Sequence, residues 1–306
     1  MFCHQKREIL YVILPYFNFC GFKRRKDLFI QFVERMKKTN GVRIVISELA
    51  GESLLPKNLK VFRHLTFTNQ SMLWTKENLV NNAVKTLPDD WTCVAWIDAD
   101  ISFLNKNWVK ETLQSLEKYD VVQLFQTAVN LGPTNEAIKI DKSFGYMHVD
   151  SGTELIQNDK YGFWHPGFAW ACTKHAWKRS GGLVDWAILG SADRHMAYAL
   201  KGRVLESAPG TIHPNYTKLL LDFQKRVNGL YLGYVSGTIF HHWHGSLKNR
   251  KYRERWEILT KKQYDPLKDI YKDDAGVLNF TTRGHRMDKD MYTYFIGRKE
   301  DDLQNS

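Results

Sequence analysis

The sequence predicts an α/β protein whose core is a doubly wound, mostly parallel sheet with a C-terminal elaboration. Three observations lead to this prediction. Continuous apolar runs such as Cys93–Ile97 are typical of strands that are buried on both faces. Runs with helical spacing of apolar residues, such as 27–38, lie between them. The chain has 306 residues, of which 43% are hydrophobic, and this is enough for one large core.

The first 126 residues alternate between strand and helix patterns. Ligands of such a sheet bind beyond the carboxyl ends of its strands, so functional side chains are expected directly after the strands. In chain order, the predicted elements are a strand at 9–14 closed by Pro15, a helix at 27–38, a strand at 42–47, a helix at 76–87, a strand at 93–97, a helix at 108–118 and a strand at 121–125.

The second half is rich in Gly, Trp and His and alternates less regularly. A strand pattern returns at 238–240. Helices are predicted at 174–179 and 192–200, and a basic helix at 252–262. From Gln263 onward the chain is polar, and its pattern predicts no particular fold.

Composition narrows the partners and the compartment. The chain carries 44 Lys+Arg against 33 Asp+Glu, and the net charge of +11 favours nucleotides, nucleic acid or acidic glycans. Four cysteines without a C-x-x-C pair favour a reducing compartment. The apolar run near the N-terminus is short, and no other stretch reaches the length of a membrane span. We therefore expect a cytoplasmic protein without membrane insertion.

Asp98 and Asp100 directly follow the apolar strand at 93–97. Two carboxylates spaced i, i+2 at a strand end can meet one cation, directly or through water and ribose hydroxyls. A bound Mn²⁺ or Mg²⁺ would neutralise a diphosphate and help it depart. Such pairs also cap helices or solvate turns, but their place at the end of a parallel strand favours a metal site.

Three histidines follow the later strand, in Phe240-His-His-Trp-His-Gly245. Histidine is a common ligand of transition metals, so His241 and His244 are candidate ligands. His244 is favoured, because Gly245 allows a close approach of the backbone. The alternatives are that the histidines cap the strand or donate hydrogen bonds to phosphate.

Aromatic and glycine residues cluster between 164 and 193. Gly167 and Trp170 suit a sugar ring, whose CH face stacks on an aromatic ring while its hydroxyls seek polar partners. Asp193 lies at the start of the helix at 192–200, where it is either a first-turn carboxylate favoured by the helix dipole or a catalytic base. The aromatic residues that can stack on a sugar or a base are Tyr161, Trp164, Trp170, Trp177 and Trp186.

A basic run follows His244. It can form a mobile segment that closes over phosphates, with Lys248 and Arg250 as donors. With Glu254 and Glu257 it can equally form a solvated helix face. Its cations are Lys248, Arg250, Lys251, Arg253 and Arg255.

The order of these motifs resembles that of inverting GT-A glycosyltransferases, especially the β-1,4-galactosyltransferase and chondroitin-polymerase type. The resemblance covers about residues 8–260. Each motif is loose, and their order is the specific part. The motifs are Pro15-Tyr-Phe-Asn18, Ile46-Ser-Glu-Leu-Ala-Gly51, Lys76-Glu-Asn-Leu-Val-Asn81, Asp98-Ala-Asp100, Gly181-Gly182 with Asp193, and His244 before Arg255-Trp256.

The resemblance implies a role for each matched position. Asp100 and His244 would bind Mn²⁺, in a site that Asp98 and His241 can complete. Asp193 would deprotonate the acceptor, with Asp185 as the alternative base because the family usually has more acidic residues here. The residues expected at the nucleotide-sugar are Pro15, Tyr16, Asn18, Glu48, Lys76, Asn81, Asp98, Gly167, Trp170, Lys248 and Arg250.

The resemblance also implies a domain organisation. Residues 1–262 would form a GT-A domain of the nucleotide-diphospho-sugar transferase kind. Its nucleotide-sugar-binding half would be 1–126 and its acceptor-binding half 127–262, followed by a C-terminal extension at 263–306.

The leading functional hypothesis is transfer of a sugar from a nucleotide-sugar, with a UDP-sugar favoured, to an acceptor hydroxyl with inversion. The acceptor would be a glycan or, given the +11 charge, DNA that carries a hydroxymethylpyrimidine. The alternative is a non-catalytic nucleic-acid-binding protein whose basic helix and aromatic residues grip phosphates and bases. Asp98 and Asp100 weigh against that alternative, because they repel phosphate unless a cation intervenes.

Overall fold

The structure is a computed structural model, and it describes residues 9–149 and 164–303. The strands are β1 (Leu10–Phe17), β2 (Val42–Leu49), β3 (Arg63–Phe67), β4 (Cys93–Ile97), β5 (Ile101–Phe103), β6 (Val121–Gln123), β7 (Thr127–Leu131), β8 (Ala137–Ser143), β9 (Trp164–His165), β10 (Ala169–Thr173), β11 (Leu232–Tyr234), β12 (Thr238–His241), β13 (Ile270–Lys272) and β14 (Leu278–Phe280). The α-helices are α1 (Lys23–Met36), α2 (Lys76–Val84), α3 (Trp108–Ser115), α4 (Phe144–Val149), α5 (Lys174–Ser180), α6 (Ala192–Leu200), α7 (Pro214–Val227), α8 (Trp256–Lys261) and α9 (Asp288–Ile296).

A seven-stranded sheet forms the centre of the fold, in the order β11-β6-β10-β4-β1-β2-β3. Its neighbouring strands are parallel except for β10, which runs antiparallel to both β4 and β6. The predicted mostly parallel sheet is therefore confirmed. The antiparallel strand β10 was not predicted, because an apolar run does not reveal the direction of its strand.

Helices cover both faces of this sheet, as the doubly wound prediction requires. Side chains of β1 alternate between the faces: Ile13 belongs to one apolar cluster and Val12 to the other. Helices α1 and α3 contribute Phe32 and Trp108 to the cluster of Val12. Helices α2, α6 and α7 pack on the side of Ile13. Apolar side chains cover both faces of the sheet. Polar side chains can therefore gather at the carboxyl ends of its strands.

A second, five-stranded sheet in the order β5-β12-β7-β8-β9 adjoins that edge. The polypeptide leaves β4 through Asp98, Ala99 and Asp100 and directly enters β5. The same three residues thus join the two sheets. The C-terminal part adds the hairpin of β13 and β14 and helix α9, and the hairpin binds α2 through hydrogen bonds of Asn78 with Gly276 and Leu278.

The predicted elements agree with the structure apart from their ends. Helix α6 begins and ends where predicted, and α1 starts four residues earlier than the predicted helix. Pro15 lies within β1 instead of ending it, at a point where the pairing of β1 with β4 has already stopped at Ile13. Within the described part of the chain, no helix combines the length and apolarity needed to cross a membrane.

Candidate active site

Two strands and one loop bring Asp100, His241 and His244 together. Strand β12 pairs antiparallel with β5 so that His241 lies opposite Ile101, the residue after Asp100. The backbone N–H of His242 donates to the carbonyl of Asp100, at 2.8 Å. His244 follows in the loop after β12. Residues that are about 140 positions apart in sequence therefore meet because of one strand register.

The three side chains direct ligand atoms at one point. Oδ2 of Asp100 lies 2.9 Å from Nε2 of His244 and 3.8 Å from Nε2 of His241. The two Nε2 atoms are 3.2 Å apart. Ligand atoms in one coordination shell have about this spacing when their bonds to the metal are roughly 2.0–2.2 Å long. Oδ1 of Asp100 is buried and has no hydrogen-bond partner among the described residues. A divalent cation fits this donor set.

A chain of hydrogen bonds fixes the orientation of His241. Its Nδ1 lies 2.9 Å from Oδ1 of Asn130, whose amide nitrogen donates to Asp141 at 2.9 Å. Because Asp141 binds the amide nitrogen, the oxygen of Asn130 faces the imidazole, which must then carry its proton on Nδ1. Nε2 is left with a free lone pair on the side of Asp100. Metal-binding histidines commonly have such an outer partner.

His244 has an outer partner of the same kind, and it comes from the C-terminal end. Its Nδ1 lies 3.5 Å from a carboxylate oxygen of Glu300. Gly245 has φ +85°, and a Cβ atom there would lie 2.8 Å from the carbonyl oxygen of Lys299. The glycine is therefore needed for the close approach of the C-terminal backbone to the histidine loop.

Charge states in this cluster suit metal ligation. Burial alone would raise the pKa of Asp100, but His244 and His241 overcome that effect and hold this pKa below its usual value. Burial lowers the pKa of His241 well below its usual value, although Asp100 opposes the shift. An ionised carboxylate and a neutral imidazole are the forms that bind a cation.

Lys76 links the strand end of Asp98 to the start of α6. Its Nζ lies 2.7 Å from Oδ1 of Asp98 and 3.1 Å from Oδ2 of Asp193. Burial would lower the pKa of Lys76, but the two carboxylates raise it above its usual value. Burial raises the pKa of Asp98 to about 6; Lys76 opposes this shift, and the negative charges of Asp100 and Asp193 add to it. Asp98 thus lies against Lys76, outside the cluster of ligand atoms formed by Asp100 and the histidines.

A cavity extends from Asp100 along the carboxyl end of β1. Its far end is apolar and aromatic, between the strand end and helix α1. Its near end is rich in charged side chains of both signs and includes the candidate metal ligand His244. The lining residues are Pro15, Tyr16, Phe17, Arg25, Leu28, Phe29, Trp74, Lys76, Asp98, Ala99, Asp100, His244, Arg250 and Arg298. We refer to it as the first cavity.

A second cavity continues from the same aspartates toward α6. It contains Asp193 and Gly167, and a Cβ atom at Gly167 would lie 3.2 Å from Oδ2 of Asp193. Glycine therefore leaves room beside that carboxylate. Next to it, Phe168 has a left-handed backbone with φ +74°, and its carbonyl accepts from the N–H of Asp98 at 2.7 Å. A strained residue of this kind is often found at an active site.

Solved structures of similar fold include two of a β-1,4-galactosyltransferase. The catalytic domain of Drosophila β-1,4-galactosyltransferase 7 with xylobiose is 13% identical, over 90% of this chain and 93% of that chain, with a TM-score of 0.39. A mutant of the same enzyme with manganese, UDP-Gal and xylobiose is 13% identical, over 76% and 70%, with a TM-score of 0.40. A protein described as a nucleotide-diphospho-sugar transferase from Desulfovibrio desulfuricans G20 is 14% identical, over 76% and 80%, with a TM-score of 0.37.

These neighbours are of the GT-A kind that the motif order resembles. No protein-family model matches the chain, and no curated protein matches it at a significant level. Likeness at such TM-scores assigns no activity by itself. The function therefore has to rest on the side chains of the site.

Several residues expected at the nucleotide-sugar instead stabilise the surrounding loops. Glu48 accepts hydrogen bonds from Ser53 and from the backbone of Leu54, and it lies 2.7 Å from His64. Asn18 bonds to Phe22 through both ends of its amide. Neither side chain lines the two cavities. Each satisfies backbone groups that would otherwise be unpaired near the strand end.

Asn81 and Asp185 bind each other on the far side of α2. The amide of Asn81 donates to Asp185 at 3.0 Å, and Lys272 and Asn78 donate to the same oxygen at 2.6 and 3.3 Å. Asp185 contributes to neither cavity. The alternative base and the predicted nucleotide contact therefore form a structural polar cluster between α2 and the C-terminal hairpin.

The prediction that Trp170 stacks on a sugar is wrong. The side chain of Trp170 is 0% exposed, and its Nε1 donates to the carbonyl of Pro166 at 2.7 Å. It lies on β10, a strand in the middle of the large sheet, where both faces are covered. Trp177 and Trp186 are partly buried and pack against the same core. Trp164 packs on Phe144, and Tyr161 lies outside the described residues.

The basic run after His244 is divided between the site and the surface. Arg250 lines both cavities and donates to His244 at 2.7 Å, whereas Lys248 is exposed and lines neither. The helix found here, α8, is shorter than the predicted basic helix at 252–262. Arg255, the residue before α8, is buried.

The site residues that pattern reading missed include Arg25, Trp74, Arg298 and Glu300. Arg25 lies in the first turns of α1, directly beyond β1, where a basic residue could have been noticed. Arg298 and Glu300 come from the C-terminal segment whose pattern predicts no particular fold, and they pair with each other at 2.7 Å. No local signal connects them with Asp100.

Proposed function

We propose that this chain is a metal-dependent glycosyltransferase that moves a sugar from a nucleotide-sugar to an acceptor hydroxyl with inversion. One observation carries the proposal. Asp100, His241 and His244 converge at one end of a cavity that begins at the carboxyl edge of the mostly parallel sheet, and Oδ1 of Asp100 has no hydrogen-bond partner there among the described residues. This is the edge where open α/β sheets bind nucleotides.

The first cavity suits a nucleoside diphosphate. Tyr16 and Phe29 line its apolar end, where a base can pack between α1 and the strand end. Arg25, Arg250 and Arg298 line the other end and can donate to phosphate oxygens. UDP is the nucleotide that the motif order implies.

Asp100, His241 and His244 would hold the cation, with Asn130 and Glu300 as the outer partners of the two rings. The two imidazoles favour Mn²⁺ over Mg²⁺, a hard ion that prefers oxygen ligands. The bound ion supplies charge that stabilises the leaving diphosphate. Two histidines and one carboxylate also serve iron oxygenases, but the arginines of the first cavity favour a diphosphate substrate.

Asp193 is the proposed base. It lines the second cavity, its side chain is partly exposed, and it forms an ion pair with Lys76. The acceptor oxygen forms a bond to the anomeric carbon while the bond from that carbon to the phosphate oxygen breaks. The hydroxyl proton moves to Asp193, and the nucleoside diphosphate leaves with the electron pair. A single displacement of this kind inverts the anomeric centre.

A glycan hydroxyl is the acceptor that we propose. The only support for a hydroxymethylated DNA base as the acceptor is the net charge of +11 together with the expected compartment. A purely nucleic-acid-binding role conflicts with four aspartates in the second cavity.

The test is a turnover assay with a panel of UDP-sugars and GDP-sugars, each with Mn²⁺ or EDTA. Acceptors are neutral and acidic oligosaccharides and duplex DNA with hydroxymethylcytosine. We expect a β-linked glycan product from an α-linked donor, formed only with metal. Transfer to DNA alone, with binding that weakens steeply as salt rises, would overturn the glycan assignment. The absence of transfer from every nucleotide-sugar, together with oxidation chemistry under Fe²⁺, would overturn the enzyme class.

A further inference from the structure

We propose that Arg255 forms an anion subsite for a carboxylate on the transferred sugar or on the acceptor. This inference rests on the proposed glycosyl transfer, because it names the chemistry of the substrate that enters the second cavity. It predicts an acidic sugar where the family resemblance alone would allow a neutral one.

Arg255 is a buried cation whose partners carry no formal charge. Its side chain is 5% exposed. Nη1 donates to the hydroxyl of Tyr294 at 3.1 Å, and Nη2 donates to Oγ of Ser191 at 3.1 Å and to the carbonyl of Gly190 at 3.2 Å. Nε is buried without a hydrogen-bond partner among the described residues.

Two other buried cations that line the cavities are paired with carboxylates. Lys76 contacts Asp98 and Asp193, and Arg298 contacts Glu300 at 2.7 Å. Among residues 9–149 and 164–303, Arg255 makes no such ion pair. A buried charge without a counter-ion is strongly unfavourable. A ligand that supplies the negative charge would explain why the Arg255 guanidinium group is buried in the wall of the second cavity.

The position of Arg255 separates this subsite from the diphosphate. Arg255 lines the second cavity but not the first, where Arg25, Arg250 and Arg298 already face the nucleotide position. Ser191, which accepts from Arg255, is two residues before the proposed base Asp193. The anion would therefore lie on the side of the reacting hydroxyl and sugar ring, away from the phosphates.

The charged group can belong to the donor sugar or to the acceptor, and matched pairs of ligands distinguish these sources. UDP-glucuronate and UDP-glucose differ only in the carboxylate of the sugar. Methyl glucuronide and methyl glucoside, titrated in the presence of Mn²⁺ and UDP, form the same comparison for the acceptor. Both pairs are measured by calorimetry on the wild type, Arg255→Met, Arg255→Lys and the exposed control Arg226→Met.

In the wild type we expect the charged member of at least one pair to bind about tenfold or more tightly than its neutral partner. Arg255→Met should abolish that preference, Arg255→Lys should retain part of it, and Arg226→Met should leave it unchanged. The affinity of Arg255→Met for UDP with Mn²⁺ should stay within about twofold of the wild type.

Two results would overturn the subsite. One is equal affinity for charged and neutral members of both pairs in the wild type, which decides the matter even if Arg255→Met fails to fold. The other is an equal loss of affinity for UDP itself in Arg255→Met, which would place Arg255 on the diphosphate. If the wild type binds no nucleotide-sugar yet prefers the glucuronide, the anion subsite stands and glycosyl transfer fails.

Discussion

The carboxylate of Glu300 lies 3.5 Å from Nδ1 of His244, on the opposite side of the ring from Asp100. Glu300 is 2% exposed and also binds Arg25 and Arg298. One C-terminal carboxylate thus holds the metal-facing histidine and two arginines of the first cavity. The segment that follows α9 is therefore part of the site's construction.

Glu300→Gln is expected to weaken Mn²⁺ binding by roughly tenfold, because an amide orients the imidazole less strongly than a carboxylate. Titration of the protein with Mn²⁺, followed by electron paramagnetic resonance, measures the change. Asp302→Asn is the matched control, since it makes the same chemical change two residues away on the surface. A folded Glu300→Gln variant with wild-type affinity for Mn²⁺ would show that the contact with His244 has no orienting role.

Asp193→Asn should retain the affinity for UDP and Mn²⁺ and lose most turnover, by roughly a hundredfold or more, because an amide cannot accept the acceptor's proton. Lys76 keeps Asp98 as its partner, so the cavity should keep its shape. Affinity is measured by calorimetry and turnover by release of UDP. Near-normal turnover of Asp193→Asn would remove this residue from the base role.

Asp185→Asn should behave differently and lower the free energy of unfolding by about 1–3 kcal/mol. The reason is that Asn81 and Lys272 donate to the same oxygen of Asp185, and an amide oxygen in its place carries no charge to pair with the Lys272 ammonium group. Urea denaturation gives the value. Unchanged stability combined with lost turnover would instead support Asp185 as the base.

His195 should make the fold sensitive to acid. It is buried between Ser207 and Tyr216, and burial, with Arg194 and Arg255, lowers its pKa to about 3. The unfolded chain binds a proton below about pH 6.5 that the folded chain refuses, so stability falls as the pH drops below that value. His195→Gln should reduce this loss by up to about 1.4 kcal/mol per pH unit. Urea titrations between pH 6.5 and 4.5 that show equal slopes for both proteins would contradict the assignment.

Most strands of the large sheet can be predicted from the sequence because each of these is a short apolar run that can be recognised without its neighbours. The strand Cys93–Ile97 is continuous and apolar, and the carboxylates that follow it are displayed at the sheet edge by the fold class alone. The histidine run could also be recognised, because it directly follows a strand that the sequence predicts. Its meeting with Asp100 depends on the pairing of β12 with β5, which pattern reading does not supply.

The rest of the site depends on long-range packing. Trp170 and Trp74 look alike in sequence, yet one is buried in the middle of the sheet and the other lines both cavities. Helix α7 was not predicted, although Pro214 at its first position and four buried side chains mark it. The C-terminal residues Arg298 and Glu300 carry no motif. Their role comes from the glycine at 245 that admits their backbone.

The most direct test of the account is the affinity for UDP in the presence of Mn²⁺, compared between the wild type and Asp100→Asn. The wild type should bind UDP with Mn²⁺ and lose most of that affinity in EDTA. Asp100→Asn should bind UDP weakly and equally under both conditions, because the amide removes an anionic ligand from the cluster with His241 and His244. Tight UDP binding that survives both EDTA and the Asp100→Asn substitution would contradict the metal-dependent site.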